Sequence, residues 1–264
     1  MESLIQYIED GIGFVRLDDR FVNDINLKIV NTARISYGNK KDKFEEKDLK
    51  LVNYLDKHGH TTPFRHSFYT FHIKAPLSVF RQWIKYQVGS VWRQYELHNN
   101  SADNTISLDI IDLMFDTDKG CSWNEVSRRY KEPKEEFYIP KDLRSNPPHG
   151  NKQSSGEYTN PIDVYDVNYL SNPIQEMIEF SNSALKLYKK LIANGVAREQ
   201  ARDVLPQNIY SEAYWTVSLQ GAMHFLEQRL KKDAQYEIRS YATIVHNLIK
   251  KDLISAGIDI NEDS

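Results

Sequence analysis

The most constraining feature of the sequence is a predicted strand that leads directly into a helix with apolar residues around most of its circumference. Residues 68–74 alternate between two faces and are rich in aromatic and β-branched side chains, which predicts a strand. Pro76 suits the first turn of a helix that we expect to reach about Val88. Two apolar stripes leave this helix only a narrow polar one, so we expect it to be buried. The polar stripe consists of Ser78, Gln82 and Lys85. A buried helix that presents Gln and Lys on one face is expected to present them to a partner or ligand.

The composition is that of a globular protein with enough chain for a substantial core. Hydrophobic residues make up 40% of the 264 residues and charged residues 27%, as in ordinary folded proteins. The formal net charge of −3 gives no overall attraction to nucleic acid polymers or to anionic membranes. Any anion-binding site must therefore be local.

Three features of the sequence predict a cytoplasmic protein. The N-terminal segment MESLIQYIEDG lacks the basic and apolar regions of a signal peptide, and no apolar run approaches the ~18 residues of a membrane span. Cys121 is the only cysteine, so no internal disulfide can form and a reducing compartment is expected. Cys121 ends an acidic, irregular stretch, which is typical of an incidental thiol rather than of a nucleophile.

The remaining periodic segments are mostly helical. Residues 13–18 (GFVRLD) predict a short first strand. Helices are predicted at residues 23–36, 46–57, 173–194, 211–231 and 234–254, with a short one in AREQARDVLP at 197–206. The segments 91–121 and 131–172 are irregular, and the first is well beyond the ~15 residues of an ordinary connection.

A second concentration of polar residues follows the long irregular segment. Residues 122–130 read SWNEVSRRY. Their acceptors, donors and fixed positive charges suit an anionic, heterocyclic ligand. Taken alone, this segment is equally compatible with a solvated turn that contains one Arg–Glu pair.

The histidines between the second helix and the strand are not expected to bind a metal. His60, His66 and His72 are six residues apart, a spacing that fits no single helix face, and no cluster of Cys or Asp accompanies them. We interpret them as structural or hydrogen-bonding histidines and predict no metal site.

In this order, the segments resemble the flavin-dependent thymidylate synthases. That family carries Arg-His-Arg-x-x-Ser-x-Asn-Glu-x-Ser-x-Arg-Tyr after a helix that contains Arg-Gln-Trp. Here Arg-Gln-Trp occupies 81–83, and SWNEVSRRY matches the second half of the motif. Further matches are ARISYG at 33–38, HGHTTPFRH at 58–66, FHIKAP at 71–76, FYIP at 137–140, NGVAREQARDVLP at 194–206 and YWTVSLQGAMHFLEQR at 214–229.

The resemblance implies an α+β fold, a helical body with a small antiparallel sheet, in a single catalytic domain of residues 1–264. It implies methylation of dUMP to dTMP, with methylenetetrahydrofolate as the carbon donor and FAD carrying hydride from NADPH. Reduced flavin rather than an enzyme cysteine drives this chemistry in the family, which agrees with an incidental Cys121. The resemblance also implies a homotetramer whose active sites combine residues of different subunits.

The nucleotide-binding positions implied by the resemblance come from widely separated parts of the chain. They are Gln82, Lys85, Glu125, Ser127, Arg128, Arg129, Arg202 and Arg229. Guanidinium and backbone N–H groups suit a phosphate monoester, and a uracil edge needs both a donor and an acceptor, which Gln82 and Arg229 together can provide. Arg229 is also the implied catalytic residue. Arg202 has an alternative role as an ion-pair partner of Glu199 or Asp203.

The implied flavin-contacting positions include several departures from the family pattern. They are Ser36, His60, Thr62, Tyr86, Gln87, Asn124, Glu125, Ser218, Gln220 and His224. Lys85-Tyr86-Gln87 stands where the family has Arg-His-Arg, and Ser218-Leu219-Gln220 stands where it has Asn-x-Arg. Lysine keeps the charge of arginine but loses its bidentate fork, whereas a tyrosine at position 86 can stack on a flavin ring.

An insertion at about 91–121 separates the two halves of the motif, so its serine is either Ser90 or Ser122. We expect the insertion to be a surface elaboration, a lid or an oligomer contact. The altered pocket leaves two alternative functions open. One is an enzyme that modifies C5 of a related pyrimidine nucleotide, for example by hydroxymethylation, and the other is a nucleotide-binding homologue without catalysis.

Overall fold

The computed structural model describes residues 4–22, 24–86, 99–100, 105–106, 123–127, 132, 134–144, 172–258 and 260. Within this part of the chain an antiparallel sheet packs against helices, which confirms the predicted α+β class. None of the helices described there has the length and apolar character needed to cross a bilayer. The single domain with an insertion at about 91–121 stays a prediction, because most of the insertion, with Ser90, Cys121 and Ser122, lies outside the described residues.

The main sheet has five strands in the order β1-β2-β3-β7-β6, and all neighbours are antiparallel. Its strands are β1 (Ile5–Tyr7), β2 (Phe14–Arg20), β3 (Phe68–Pro76), β6 (Trp123–Glu125) and β7 (Tyr210–Ser218). Two short strands, β4 (Asn99–Asn100) and β5 (Thr105–Ile106), pair with each other separately. The strand predicted at 13–18 is therefore the second strand of the chain rather than the first.

The described residues form seven helices. They are α1 (Ile25–Ala33), α2 (Leu49–Lys57), α3 (Leu77–Trp83), α4 (Pro173–Ala193), α5 (Arg198–Ala201), α6 (Leu219–Arg229) and α7 (Tyr236–Ser255). Short 3-10 helices cover Arg34–Tyr37, Glu46–Asp48, Thr62–His66 and Arg202–Val204. The side chains of Asp24, Asn172 and Ser218 cap α1, α4 and α6.

The prediction of a helix at 211–231 is wrong for residues 211–218. Residues 210–218 form β7, which pairs with β3 on one side and with β6 on the other. Ala213, Trp215 and Val217 are buried at every second position, the pattern of a strand with one covered face. Only Leu219–Arg229 is helical, because the side chain of Ser218 accepts from the backbone N–H of Gly221 and starts a new element.

The helix predicted to reach Val88 ends earlier, at Trp83. The backbone N–H of Tyr86 donates to the carbonyl oxygen of Trp83 at 2.9 Å, which closes a turn. This turn directs the ring of Tyr86 against Phe225 of α6, with ring centroids 5.5 Å apart. The chain after Trp83 therefore packs against α6 instead of continuing the helix. Val88 lies outside the described residues.

Two strand–helix units, β3 with α3 and β7 with α6, lie side by side and run in opposite directions. β3 runs directly into α3 and β7 directly into α6, without a connecting loop. The strands pair in antiparallel register from Phe68 opposite Ser218 to Pro76 opposite Tyr210. The backbone N–H of Leu77 donates to Ile209 at 3.1 Å and that of Leu219 donates to Ser67 at 2.8 Å. Each unit thus satisfies the first donor of the other unit's helix.

The core lies between the sheet and helices α1, α2, α3, α6 and α7. Its largest aromatic group centres on Trp83, which is fully buried. The Trp83 ring stacks on Phe225 at 4.8 Å and meets the edges of Trp215 at 5.4 Å and Tyr241 at 5.9 Å. A smaller apolar cluster of Leu185, Tyr188 and Ala201 joins α4 to α5. Trp83 therefore joins α3, β7, α6 and α7 at one point.

A buried ion pair attaches the segment 137–144 to α7. Arg144 Nη2 lies 2.5 Å from Glu237 Oε1, with side chains that are 17% and 9% exposed. Burial raises the pKa of the Glu237 carboxyl group, but hydrogen bonds from Arg144 and Gln235 outweigh it, so the pKa lies below its ordinary value. The fold therefore favours the ionised form of this group.

We expect Trp83→Ala to lower the free energy of unfolding by about 3–5 kcal/mol, because it removes the ring that four elements share. Urea denaturation followed by circular dichroism measures this change. Phe21→Ala, at a side chain that is 62% exposed, is the control and should change stability by no more than about 0.5 kcal/mol. Equal urea midpoints for Trp83→Ala and wild type would contradict the central position of Trp83.

We expect the stabilisation contributed by Glu237 to depend on pH. Because its pKa is lower in the folded state than the ordinary value of 4.5, its contribution is complete above that value and is lost as the pH falls through the folded-state pKa. Urea midpoints of wild type and Glu237→Gln should therefore converge as the pH falls below the ordinary pKa of 4.5. A difference that stays constant over this range would show that the carboxylate charge does not stabilise the fold.

Candidate functional site

Arg229 and Tyr86 form the centre of one group of predicted site residues. Arg229 ends α6, and its guanidinium carbon lies 4.8 Å from the centre of the Tyr86 ring. The buried Nε of Arg229 has no hydrogen-bond partner among the described residues. His224 also approaches Tyr86, with ring centroids 5.8 Å apart. The structure thus brings three predicted positions together: Tyr86, His224 and Arg229.

This arrangement leaves Arg229 able to bind a ligand. A guanidinium over an aromatic face is held by cation–π attraction, and its charge suits the C-terminal end of α6. Its N–H groups form no ion pair with another described residue, so they can donate to a carbonyl or anionic group. Tyr86, the residue predicted to stack on a flavin, contacts the predicted substrate-binding side chain of Arg229.

Gln82 lies on α3, four residues before Tyr86, and is connected to α7. Its Nε2 donates to Gln235 Oε1, and Gln235 Nε2 donates to Glu237 Oε2 at 2.7 Å. Lys85, one helical turn beyond Gln82, is exposed. The predicted polar stripe of α3 therefore divides into a side chain fixed by α7 and a lysine that faces solvent.

Two neighbouring predicted site residues, Asn124 and Glu125, lie on opposite faces of the short strand β6. Glu125 accepts a hydrogen bond from Ser211 Oγ at 3.0 Å, and Trp123, on the same side of the strand, packs against the core. Asn124 is exposed and lies opposite Tyr214. Because successive strand residues point to opposite faces, one chain cannot direct both Asn124 and Glu125 into the same pocket.

Predicted flavin positions gather around the 3-10 helix Thr62–His66, which packs against both α1 and α6. Arg65 donates to Gln220 Oε1 and, at 3.2 Å, to Thr61 Oγ1, so it joins this turn to the start of α6. A cavity of about 620 Å³ borders this turn at His66, but its lining comes mainly from α1 and residues 35–40 and includes none of the predicted flavin positions that the structure describes. The exposed positions that surround this region are Ser36, His60 and Thr62.

The remaining predicted positions are not part of either group. Ser218 is buried, and its hydroxyl accepts from the backbone of Gly221 as a helix cap. Arg202 is exposed at the start of a 3-10 helix that packs on α4. Ser127 is half-buried and lies two residues after β6. Gln87, Arg128 and Arg129 lie outside the described residues.

Sequence reasoning missed Gln235, Glu237 and Arg144. Gln235 accepts a hydrogen bond from Gln82 and donates one to Glu237, which pairs with Arg144. Polar residues at the start of the last helix are easily taken for solvent-exposed ones. Glu237, however, lies four residues before Tyr241, on the buried stripe of α7. A carboxylate at an apolar stripe position requires a buried partner, and this signal could have identified it.

The interpretation of His72 as a hydrogen-bonding residue is confirmed. Its Nε2 lies 3.2 Å from Glu212 Oε2, and its ring stacks on Tyr214 at 4.8 Å. In the described ranges, no group of three or more His, Cys, Asp and Glu side chains has an arrangement that could hold a metal ion.

The protein-family model described as Thymidylate synthase complementing protein matches residues 20–112 and 115–253. The flavin-dependent thymidylate synthase of Thermosipho africanus is 38% identical over 240 residues, which cover 90% of this chain and 86% of that protein. The enzyme of the same name from Thermus thermophilus is 36% identical over 239 residues, covering 90% and 72%.

The fold is similar to that of a UMP/dUMP methylase, PolB, from Streptomyces cacaoi, whose crystal structure contains 5-Br dUMP. The TM-score is 0.64 at 23% identity, covering 96% of this chain and 91% of the other. The family match extends over most of the chain, and curated relatives of more than 30% identity carry one common description. The chain therefore belongs to the flavin-dependent thymidylate synthase family.

Proposed function

We propose that the protein is a flavin-dependent thymidylate synthase that methylates dUMP to dTMP. Methylenetetrahydrofolate gives the carbon, and FAD reduced by NADPH gives the hydride. The observation that carries this proposal within the family is Arg229, a cation held against Tyr86 whose buried Nε has no hydrogen-bond partner among the described residues. These substrates are metabolites of the cytoplasm, where we propose that the enzyme acts.

The substrate side of the proposed site lies around the ends of α3 and α6. Arg229 donates to a carbonyl oxygen of the uracil ring and stabilises negative charge that develops on the ring, which makes it the proposed catalytic residue. Lys85 and the arginines supply positive charge to the phosphate. The proposed dUMP-binding residues are Gln82, Lys85, Glu125, Ser127, Arg128, Arg129, Arg202 and Arg229.

The described residues also fit a flavin near the start of α6. The cavity that α1 forms with residues 35–40 and His66 offers space next to the 3-10 helix Thr62–His66, where His60 and Thr62 are exposed. When bound, FAD supplies the hydride that completes the transferred methyl group. The residues proposed to hold it are Ser36, His60, Thr62, Gln87, Asn124, Glu125, Ser218, Gln220 and His224, whereas Tyr86 is proposed to hold Arg229 on the substrate side.

A homotetramer with shared active sites is supported by the two faces of β6. Glu125 lies on the covered side of the sheet with Trp123, whereas Asn124 lies on the open side beside Tyr214, which is 42% exposed. If both residues serve active sites, Asn124 must serve the site of another subunit. The opposite directions of these side chains therefore favour sites completed by a second copy of the chain.

We expect the purified protein to show the visible absorption of FAD and to lose it on addition of NADPH. Addition of dUMP and methylenetetrahydrofolate should then restore the absorption and yield dTMP by mass spectrometry. A product with the mass of a hydroxymethylated nucleotide would support the related C5-modifying enzyme instead. Binding of dUMP without retention of FAD would identify a non-catalytic homologue and contradict the proposal.

We expect Tyr86→Leu to reduce kcat/KM for dUMP by about threefold to tenfold, because the cation–π contact that holds Arg229 is lost. Tyr86→Phe keeps the aromatic face and should stay within about twofold of wild type. Flavin content, measured from the visible spectrum, should be equal in all three proteins. Loss of flavin from Tyr86→Leu with an unchanged KM for dUMP would instead assign Tyr86 to the cofactor.

A further inference from the structure

Gln82 of the proposed site begins a series of three hydrogen-bonded side chains that has a defined direction. Gln82 Nε2 donates to Gln235 Oε1, and Gln235 Nε2 donates to Glu237 Oε2 at 2.7 Å. The series connects the ligand-facing stripe of α3 with the first turn of α7. These hydrogen bonds are not part of the backbone hydrogen bonding of either helix. The direction in which they run, from donor to acceptor, must therefore be set by the side chains themselves.

Glu237 determines that direction. An ionised carboxylate only accepts hydrogen bonds, and both Arg144 at 2.5 Å and Tyr138 Oη at 3.3 Å donate to its other oxygen. Charge pairing with Arg144 keeps the buried carboxylate ionised. Gln235 must therefore turn its amide NH₂ group towards Glu237 and its carbonyl oxygen towards Gln82.

The location of Gln235 agrees with a role other than helix capping. Gln235 is the N-cap residue of α7, yet its side chain makes no capping hydrogen bond. Ser, Thr, Asp and Asn are the usual residues at this position because their short side chains reach the helix N–H groups. The longer glutamine side chain instead spans the distance between Gln82 and Glu237.

We propose that Gln235 is a positioning residue that sets the orientation of the Gln82 amide, and that Gln82 consequently offers its carbonyl oxygen to the nucleotide. Gln82 must use an N–H towards Gln235, so its Oε1 points to the other side. An acceptor recognises an N–H of the base or an O–H of the sugar, not a phosphate oxygen. This inference rests on the proposed binding of dUMP and specifies which part of the nucleotide Gln82 contacts.

The test compares wild type with Gln235→Met, which keeps the side-chain length but removes both hydrogen bonds. Calorimetry measures the affinity for dUMP, and competition with dUMP measures that for deoxyuridine and for inorganic phosphate. We expect the affinities for dUMP and deoxyuridine to fall by about fivefold to tenfold, the effect of one lost hydrogen bond. The affinity for inorganic phosphate should not change.

Two further variants separate positioning from a general effect on folding. Gln175→Met removes a comparable hydrogen bond, to Glu179 on the exposed face of α4, and should leave all three affinities unchanged. Glu237→Asp keeps an acceptor-only group and should retain most of the affinity for deoxyuridine, whereas Glu237→Gln should lose as much as Gln235→Met. A merely structural role of Glu237 would weaken phosphate binding together with deoxyuridine binding.

Two results would overturn the inference alone. One is an unchanged affinity of Gln235→Met for dUMP and deoxyuridine. The other is an equal loss for inorganic phosphate, which would place Gln82 at the phosphate. A wild-type protein that binds no dUMP would overturn the proposed function and this inference together.

Discussion

The stacking of Trp83 on Phe225 is the contact on which the arrangement of the site depends. Trp83 follows Gln82 in α3, and Phe225 lies one turn before Arg229 in α6. The two rings are buried at the junction of both helices with β7 and α7. A rigid apolar contact thus fixes the separation of two polar side chains that have no direct contact of their own, and packed interiors transmit such constraints well.

The two polar side chains next to this apolar junction, Arg229 and Gln82, are held by different kinds of interaction. Arg229 is held by an aromatic face, which restrains the guanidinium without using its N–H groups. Gln82 is held through a series that ends at a buried carboxylate. Arg229 therefore keeps N–H donors for a ligand, and Gln82 keeps a carbonyl acceptor. The two side chains can bind complementary groups of one ligand.

Much of the fold could be predicted from the sequence where one period dominates a segment, as in β3 and α7. The prediction failed at 211–231 because apolar residues of a strand and of the following helix merge into one run when no loop separates them. The family motifs identified the residue types of the site. They could not reveal that Tyr86 faces Arg229, that Asn124 and Glu125 diverge, or that Gln235 supports Gln82. These relations arise from tertiary contacts between distant segments.

The direct joints between β3 and α3 and between β7 and α6 have a consequence for how the family can change. A residue added at either joint would turn the following helix by about 100° and move it along its axis by about 1.5 Å. Trp83 or Phe225 would then leave the junction, and Gln82 or Arg229 would face another direction. We therefore expect length variation to be confined to segments away from these joints, because the number of residues from His72 to Gln82 and from Tyr214 to Arg229 sets the positions of the two site residues.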